Sequence, residues 1–329
     1  KKMSKEELRT AYPEIEPYDS GYLKVSEIHE IYYEQSGNPE GKPVLVVHGG
    51  PGGGCPPSYR QHFDPKLWRI ICVDQRGAGK SKPSACLIDN TTWHLVEDFE
   101  TLRKKLSIDK WFLKGGSWGS TLSLAYATKH PEVIRGLILR GIFTLRRKEL
   151  LFFYQEGTSF VFPDAFEKFE AVIPPAERCD MISAYHRRLT GDDEAVKREC
   201  ALAWSIYEMS TAKLYVDPSY IQRAADDIEF ALKFARIESH YFVHGGFFES
   251  DNYLIDKAKE IRGKFPIFIV QGRYDMVCPT KTAWDLRSSL ITKDNYFDFV
   301  IVSDAGHSNS EPGILSEIIK ATDRFAKFE

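Results

Sequence analysis

A serine between glycines is the first residue in this chain whose surroundings suggest chemistry. In "GGSWG" (115–119), Ser117 stands in the middle of the pattern G-x-S-x-G. A serine hydroxyl becomes a useful nucleophile when a neighbouring base removes its proton and a third group orients that base. The same five letters also describe an ordinary Gly-Ser turn, so the interpretation depends on whether a base and a carboxylate can reach Ser117.

The base and its carboxylate can be sought by position along the chain. Of the nine histidines, only His307, in "SDAGHS", lies in the turn after a late predicted strand, and Asp275, in "GRYDMVCP", directly follows the predicted strand before it. The order Ser117, Asp275, His307 is the order of the nucleophile, acid and base in α/β hydrolases. Asp304 is a second candidate for the acid, but it lies in the same loop as His307, which makes it the poorer choice.

A glycine-rich segment supplies candidates for an oxyanion hole. "HGGPGGG" (48–54) follows a predicted strand and presents backbone N–H groups with few side chains in the way. Such a segment can also be only a turn. If it stabilises an oxyanion, we expect the donors to be the N–H of Trp118 and that of Gly50, with Gly49 as the alternative. Pro51 has no N–H to donate.

The elements that must position these residues alternate between strands and helices. Continuous apolar runs are typical of strands that are covered on both faces, and spacings of three and four residues are typical of helices. We predict strands at 26–37, 43–50, 68–74, 110–114, 133–141, 264–272 and 296–304, and helices at 95–106, capped near 90–92, and at 120–130, 281–290 and 314–328. The fold class is therefore α/β, with a mostly parallel sheet that has helices on both faces.

The strand pattern stops in the middle of the chain. From residue 144 to 261 the sequence is helical and rich in aromatic and charged residues, as in "DDEAVKRECALAWSIYEM". We therefore predict a catalytic domain formed by 1–143 and 262–329, with 144–261 inserted as a helical cap that recognises the substrate. A cap in this place would cover the carboxyl edge of the sheet, where such folds bind ligands.

A second glycine-rich stretch resembles the end of a phosphate-binding loop. "DQRGAGKS" (74–81) closes with Gly-Lys-Ser, but the pattern requires glycine where Asp74 stands. It also requires a helix directly after Lys-Ser to hold the anion, and Pro83 follows instead. A nucleotide site is therefore disfavoured.

Composition excludes several classes of partner. Hydrophobic residues make up 43% and charged residues 28% of the chain, and the formal charge of −3 gives no reason to expect nucleic acid. No apolar run is long enough to span a membrane, and "KKMSKEELRT" lacks the apolar core of a secretion signal. The six cysteines contain no C-x-x-C pair. We expect a cytoplasmic protein with free thiols, no metal and no cofactor.

The motifs together resemble one family over nearly the whole chain. "HGGPGGG", "DQRGAGKS", "GGSWGSTLSLAYATKHPE", "ALAWSIYE", "ARIESHYF", "GRYDMVCP" and "AGHS" are similar to the prolyl aminopeptidases (proline iminopeptidases), serine peptidases with the α/β-hydrolase fold and a helical cap. In this family the D-Q-R-G segment is a turn beside the oxyanion loop. Two residues depart from the pattern, since Lys80 stands where arginine is more common and Tyr207 stands where tryptophan is expected. The second departure bears on the shape of the pocket.

The resemblance implies release of N-terminal proline from small peptides. An exopeptidase of this kind must bind a protonated amine, and the family motifs place the amine-binding carboxylates at Glu208 and Glu238. A glutamate at the edge of an apolar helix stripe is otherwise generally a surface group. For the proline ring we look to Phe143, Tyr154 and Cys278, each of which can also be plain core.

Three other functions are weighed against this one. An esterase or amidase of the same fold would have no use for the two cap glutamates. A non-catalytic binding protein would not need serine, histidine and aspartate together. A nucleotide-binding protein is disfavoured as above. We expect a monomer or a small homo-oligomer.

Overall fold

The computed structural model describes residues 7–292 and 297–328. The strands are β1 Asp19–Lys24, β2 Glu30–Gly37, β3 Lys42–Val47, β4 Trp68–Val73, β5 Trp111–Ser117, β6 Ile134–Ile142, β7 Ile267–Gly272 and β8 Phe297–Val302. The helices are α1 Thr92–Lys105, α2 Trp118–Lys129, α3 Arg147–Tyr154, α4 Pro163–Ala171, α5 Met181–Leu189, α6 Glu194–Thr211, α7 Pro218–Asp226, α8 Ile228–Val243, α9 Tyr253–Ile261, α10 Thr280–Leu290 and α11 Pro312–Phe325.

All the described strands join one sheet in the order β1-β2-β4-β3-β5-β6-β7-β8. The pairs from β4 to β8 are parallel, and β1 and β2 join antiparallel to their neighbours. Parallel strands point their carboxyl ends to one edge, so the loops after β3, β5, β7 and β8 all open there. These loops carry the residues to which the sequence analysis assigns chemistry.

The two faces of the sheet are covered by different helices. Alternate residues of one strand point to opposite sides: Val44 packs in the cluster that includes Ile318 of α11, and Leu45 packs with Phe99 of α1 and Leu122 of α2. Residues of α9 and α10 belong to the same cluster as Leu45. Burial on both faces explains why these strands consist of almost continuous apolar runs.

Most of the predicted elements are present within a few residues of their expected ends. The strand predicted over 26–37 begins at Glu30, and β1 is missing from the prediction. β1 lies at the edge of the sheet and alternates between half-buried and exposed positions, so it has no apolar run to reveal it. Residue 296, at which the last predicted strand begins, lies outside the described residues. Residues 1 and 329, the ends of the predicted catalytic domain, also lie outside them.

The regular elements of the predicted cap segment are all helices, and polar contacts tie the segment to the loop between β4 and α1. Lys233 Nζ donates to the carbonyl of Gly79 at 3.0 Å, and His240 Nε2 donates to the carbonyl of Asn90 at 2.8 Å. The helix α9, although inside 144–261, packs against α2 and α10. The division into two domains stays a prediction. Within the described ranges, no helix combines the length and the apolar character needed to cross a bilayer.

Candidate active site

Ser117 lies in a strained turn between β5 and α2. Its backbone has φ 57° and ψ −128°, a conformation that a non-glycine residue adopts only when its surroundings impose it. The neighbouring glycines allow the close approach, because a Cβ on Gly115 would lie 2.2 Å from the carbonyl oxygen of Gly119, and a Cβ on Gly119 would lie 2.1 Å from that of Val47. This strand–turn–helix geometry is that of a nucleophile elbow, which raises the hydroxyl above the sheet.

His307 and Asp275 meet in the loops after β8 and β7. The ring Nδ1 of His307 lies 2.8 Å from Asp275 Oδ2. The other carboxylate oxygen accepts hydrogen bonds from the backbone N–H groups of Val277, at 3.0 Å, and Cys278, at 2.7 Å. The carboxylate is thus fixed on both sides and holds Nδ1 as the donor, which leaves a lone pair on Nε2 for the serine proton. Asp304 is exposed, and no hydrogen bond links it to His307 in the part of the chain that the structure describes.

Ser117 and His307 line the same cavity, and no hydrogen bond joins their side chains among the residues that the structure describes. Ser117 Oγ lies 3.9 Å from Cys278 Sγ, while His307 Nε2 lies 3.3 Å from Arg140 Nη1. The same Nη1 donates to the carbonyl oxygen of His307 at 2.7 Å. Catalytic hydrogen bonds commonly tighten only when substrate is bound, so this arrangement is compatible with a serine–histidine pair.

Two residues at the end of β6 support the histidine and were not identified from the sequence. Gly141 has φ 54°, and a Cβ there would lie 3.0 Å from the His307 ring, so only glycine leaves the ring its place. Arg140 is 7% exposed and donates to the His307 carbonyl. A charged residue inside the apolar run 133–141 is the signal that could have revealed this role.

The glycine-rich segment 48–54 is held by a neutral, buried histidine. His48 Nε2 accepts from the N–H of Gln75 at 2.9 Å, so the proton is on Nδ1, which lies 2.9 Å from the carbonyl oxygen of Gly49. Burial lowers the pKa of His48 and keeps the ring neutral. Gln75 in turn accepts from Trp118 Nε1 at 2.8 Å, which links this loop to the start of α2. These roles of His48 and Gln75 were not identified from the sequence.

The look-alike phosphate loop binds its own backbone. Asp74 Oδ1 accepts from the N–H of Cys55 and Oδ2 from that of Lys80, both at 2.8 Å. A Cβ on Gly79 would lie 2.2 Å from Asp74 Oδ2, so that glycine makes room for the carboxylate. Asp74 therefore ties this segment to Cys55, directly after the glycine-rich loop 48–54.

Glu208 of α6 and Glu238 of α8 lie together in the cap. Glu208 Oε1 accepts from the hydroxyl of Tyr154 at 2.5 Å, and Glu238 Oε2 accepts from the Nε1 of Trp204 at 2.5 Å. Both are buried, at 9% and 3% exposure, and no ion pair joins either of them to a cation among residues 7–292 and 297–328. The rings of Tyr154 and Trp204 stack with centroids 4.5 Å apart, which fixes both donors.

The pKa values of this pair follow from its surroundings. Burial raises the pKa of Glu208 to about 7, although the hydrogen bond from Tyr154 acts in the opposite direction. Burial, followed by the charge of Glu208, raises the pKa of Glu238 well above its usual value. At neutral pH the pair therefore holds at least one proton.

Two cavities meet at Ser117. The larger, of about 570 Å³, is lined by Ser117, His307, both cap glutamates, and Gly49 and Gly50 of the glycine-rich loop. The smaller, of about 20 Å³, also reaches Ser117, Gly50 and both glutamates. Phe143, Tyr154 and Cys278, the three residues expected at the proline ring, all line the smaller cavity. Its other lining residues, absent from the sequence analysis, are Glu149, Leu150, Phe153, Phe242 and Val277.

Known proteins resemble the chain over most of its length. A family model described as the alpha/beta hydrolase fold matches residues 42–313. The chain is 59% identical over 318 residues to a probable proline iminopeptidase of Leptolyngbya boryana, covering 97% of both chains. It is 52% identical over 317 residues to a proline iminopeptidase of Arabidopsis thaliana, covering 96% of this chain and 82% of that one. It is 43% identical over 309 residues to one of Neisseria meningitidis serogroup B, covering 94% and 96%.

Solved structures agree on the fold. The chain superposes on a bromoperoxidase from Bacillus anthracis with a TM-score of 0.62 at 18% identity, covering 94% of this chain and 100% of that one. It superposes on an esterase from Exiguobacterium antarcticum with a TM-score of 0.60 at 18% identity, covering 93% and 99%. At such identities the likeness establishes the fold alone. The predicted fold class is therefore confirmed.

Proposed function

The chain belongs to the proline iminopeptidase group of the alpha/beta hydrolase family, and from this premise we propose that it is a serine exopeptidase that releases N-terminal proline from peptides. One observation carries the proposal beyond the family name. Two buried carboxylates that pair with no cation of the described residues line the cavity that contains Ser117. A hydrolase of neutral acyl compounds has no use for them, whereas a peptide with a free N-terminus supplies the missing positive charge.

Acyl transfer follows from the arrangement of Ser117, His307 and Asp275. His307 Nε2 takes the hydroxyl proton while Oγ bonds to the carbonyl carbon of the first residue. The resulting oxyanion accepts from the N–H of Trp118, which has no partner within its helix because it is the first residue of α2, and from that of Gly50 or Gly49. His307 then gives its proton to the leaving nitrogen as the C–N bond breaks. Water repeats the sequence on the acyl-enzyme, which releases proline and restores the hydroxyl.

The glutamate pair restricts the substrate to one residue before the cut. The protonated imino nitrogen binds between Glu208 and Glu238, which give up their shared proton when the cation arrives. Because both carboxylates lie on cap helices that close over Ser117, a blocked or extended N-terminus has neither the charge nor the space it needs. This explains an exopeptidase rather than an endopeptidase.

The proline ring would bind in the smaller cavity. Its space of about 20 Å³ holds about one water molecule, so a pyrrolidine ring enters only if the surrounding side chains move apart. Phe143 and Tyr154 offer flat apolar faces to the ring, and Cys278 offers a small apolar group. This pocket would favour a compact ring over a long side chain.

A panel of aminoacyl naphthylamides tests the proposal. We expect hydrolysis of proline 2-naphthylamide to exceed that of the leucine and lysine compounds, and N-acetylation of the proline compound to abolish it. Naphthyl acetate serves as the ester control. Faster hydrolysis of the ester than of any free-amine substrate would instead support the esterase alternative. We also propose a cytoplasmic location, in keeping with the free state of all six cysteines.

A further inference from the structure

Arg140 is a buried cation without a carboxylate partner. Four arginines are buried among the described residues, and Arg60, Arg76 and Arg146 each pair with a carboxylate at 3.0 Å or less. Arg140, at 7% exposure, makes no such pair within residues 7–292 and 297–328. Its Nε is sealed from solvent without any hydrogen-bond partner, which is a costly state for a charged donor.

The guanidinium group lies at the catalytic end of the large cavity. Arg140 lines the cavity together with Ser117 and His307. Its Nη1 lies 3.3 Å from His307 Nε2, and a Cβ on Gly116, the residue before Ser117, would lie 2.4 Å from its Nη2. Nη2 donates to no described protein atom. The other two cations that line the cavity, Lys80 and Arg223, are exposed at its rim.

A second basic side chain, that of Lys114, is buried against the cavity wall. Lys114 is 2% exposed, and its Nζ lies 4.5 Å from the ring centre of Tyr59, which is itself part of the cavity wall. Burial, with the charge of Arg140 as the next cause, lowers the pKa of Lys114 to about 7. Among the described residues, no ion pair joins either Lys114 or Arg140 to a carboxylate.

The position of the guanidinium group relative to His307 limits what can bind there. The leaving nitrogen must lie within hydrogen-bond distance of His307 Nε2, because that atom donates the proton. Arg140 is the immediate neighbour of His307 Nε2, with Nη1 at 3.3 Å. In a dipeptide, the carbon that bears the leaving nitrogen also bears the terminal carboxylate. A carboxylate at that point meets the planar fork of an arginine, which is well suited to it.

We propose that Arg140 binds the terminal carboxylate of the leaving amino acid and that the preferred substrates are dipeptides of the form Pro-X. This inference rests on the proposed function and names its substrate class. The cavity then matches a zwitterion, with the unpaired carboxylates Glu208 and Glu238 at the amine, and the unpaired Arg140 at the carboxylate. A longer peptide presents a neutral carbonyl to Arg140, which makes a weaker hydrogen bond than a carboxylate does.

Three substrates test the subsite: Pro-Ala, its amide Pro-Ala-NH2, and proline 2-naphthylamide. We expect wild-type kcat/KM to be about ten- to a hundredfold higher for Pro-Ala than for its amide. In Arg140→Met this ratio falls to about one, and in Arg140→Lys, which keeps the charge without the fork, it takes an intermediate value. Arg223→Gln removes an exposed cation from the rim of the same cavity and is the matched control, with the wild-type ratio retained.

The outcomes distinguish a carboxylate subsite from a role of Arg140 in positioning His307 alone. A wild-type ratio near one overturns the inference. An undiminished ratio in Arg140→Met, with equal losses on all three substrates, also overturns it and assigns Arg140 to the positioning role. If Arg140→Met is inactive, the wild-type and Arg140→Lys ratios decide. Failure of the wild-type protein to hydrolyse proline 2-naphthylamide counts against the proposed function itself, whereas hydrolysis of that compound without a preference for the dipeptide counts only against the subsite.

Discussion

Two buried glutamates in this protein accept a hydrogen bond from a tyrosine and differ in their other neighbour. Glu100 of α1 accepts from Tyr126 at 2.7 Å and also holds the fork of Arg103 at 2.8 Å. Glu208 of α6 accepts from Tyr154 at 2.5 Å, and its other neighbour is the carboxyl of Glu238. Hydrogen bonds from Arg103 lower the pKa of Glu100 to about 2, whereas burial raises the pKa of Glu208 to about 7.

Under the proposed function, the difference distinguishes carboxylates that stabilise the fold from those that bind the substrate. Elsewhere in the described chain, Glu34 and Glu149 each hold a guanidinium group within 3 Å. Each of these pairs is complete in the free protein. The pair Glu208–Glu238 is incomplete without a cation from outside, and so is Arg140 without an anion. Unpaired buried charge of both signs in one cavity is therefore the mark of the site.

The largest effect expected concerns the residues between these two unpaired charges. Ser117→Ala or His307→Ala should each lose about 10⁴ to 10⁶ in kcat on proline 2-naphthylamide, with no further loss in the double variant, because the triad acts as a unit. Asp275→Asn should lose about 10⁴ through the wrong histidine tautomer. Asp304→Asn, at the exposed rival acid, is the control and should retain activity. If a folded Ser117→Ala variant kept more than a few per cent of the wild-type kcat, Ser117 would not be the nucleophile and the active site would not lie in this cavity.

The next largest effect tests the carboxylate pair directly. Glu238→Gln keeps the acceptor for Trp204 and loses the charge, which leaves a bound ammonium under-paired at a cost of about 2–5 kcal/mol. We expect kcat/KM for proline 2-naphthylamide to fall about a hundredfold or more, and that for naphthyl acetate, which has no amine, to change little.

Glu100→Gln is the matched control for this prediction. It removes the same charge from the paired carboxylate, so it should reduce stability and leave the ratio of the two substrates unchanged. A Glu238→Gln enzyme that loses equal activity on the amide and the ester would show that Glu238 is structural, and the contrast with Glu100 would lose its meaning.

Some parts of the fold and of the candidate site can be predicted from the sequence, and others cannot. The parallel strands are predictable because burial on both faces requires continuous apolar runs. The helical cap is predictable because the strand pattern stops and apolar residues recur at helical spacing. The edge strand β1 is missing from the prediction because half of its residues face solvent. The triad can be proposed from strand ends and chain order. The roles of His48, Arg140 and Gly141 depend on contacts between segments far apart in the chain, which local pattern does not reveal.

A smaller effect concerns how the free energy of unfolding depends on pH, and it has opposite signs for Glu208 and Glu100. The raised pKa of Glu208 means that the folded state binds more protons than the unfolded state between pH 4.5 and about 7, so its ionisation destabilises the fold as pH rises. The lowered pKa of Glu100 means that its contribution is present above pH 4.5 and is lost as pH falls toward about 2.

Urea unfolding of two variants measures both contributions. At pH 8, Glu208→Gln should raise the free energy of unfolding by about 1–3 kcal/mol, while Glu100→Gln should lower it by a similar amount. The gain in Glu208→Gln should disappear at pH 4.5, where the wild-type carboxyl is already neutral. A loss of stability in Glu208→Gln at pH 8 would mean that the wild-type pair is satisfied within the protein, and the case for an amine-binding site would fail.

The smallest effect on activity, and the sharpest on chemical modification, is expected at Cys278. Its Sγ lies 3.9 Å from Ser117 Oγ in the smaller cavity, and burial raises the pKa of its thiol. We expect a bulky mercurial on Cys278 to fill the place of the proline ring and block hydrolysis, with proline slowing the reaction. Cys278→Ala should keep most activity and resist inactivation, because this thiol is a wall and takes no part in bond breaking.

Two other cysteines sharpen that test. Cys55 lines the larger cavity and Cys179 is exposed, so both are open to the same reagent. We expect Cys179→Ala to be inactivated at the wild-type rate and that rate to be slowed by proline as before. If Cys278→Ala is inactivated as fast as the wild type, and Cys55→Ala is resistant, the reagent acts from the side of the leaving group. Cys278 would then be ordinary core, and the ring would have to be sought among the other residues that line the smaller cavity.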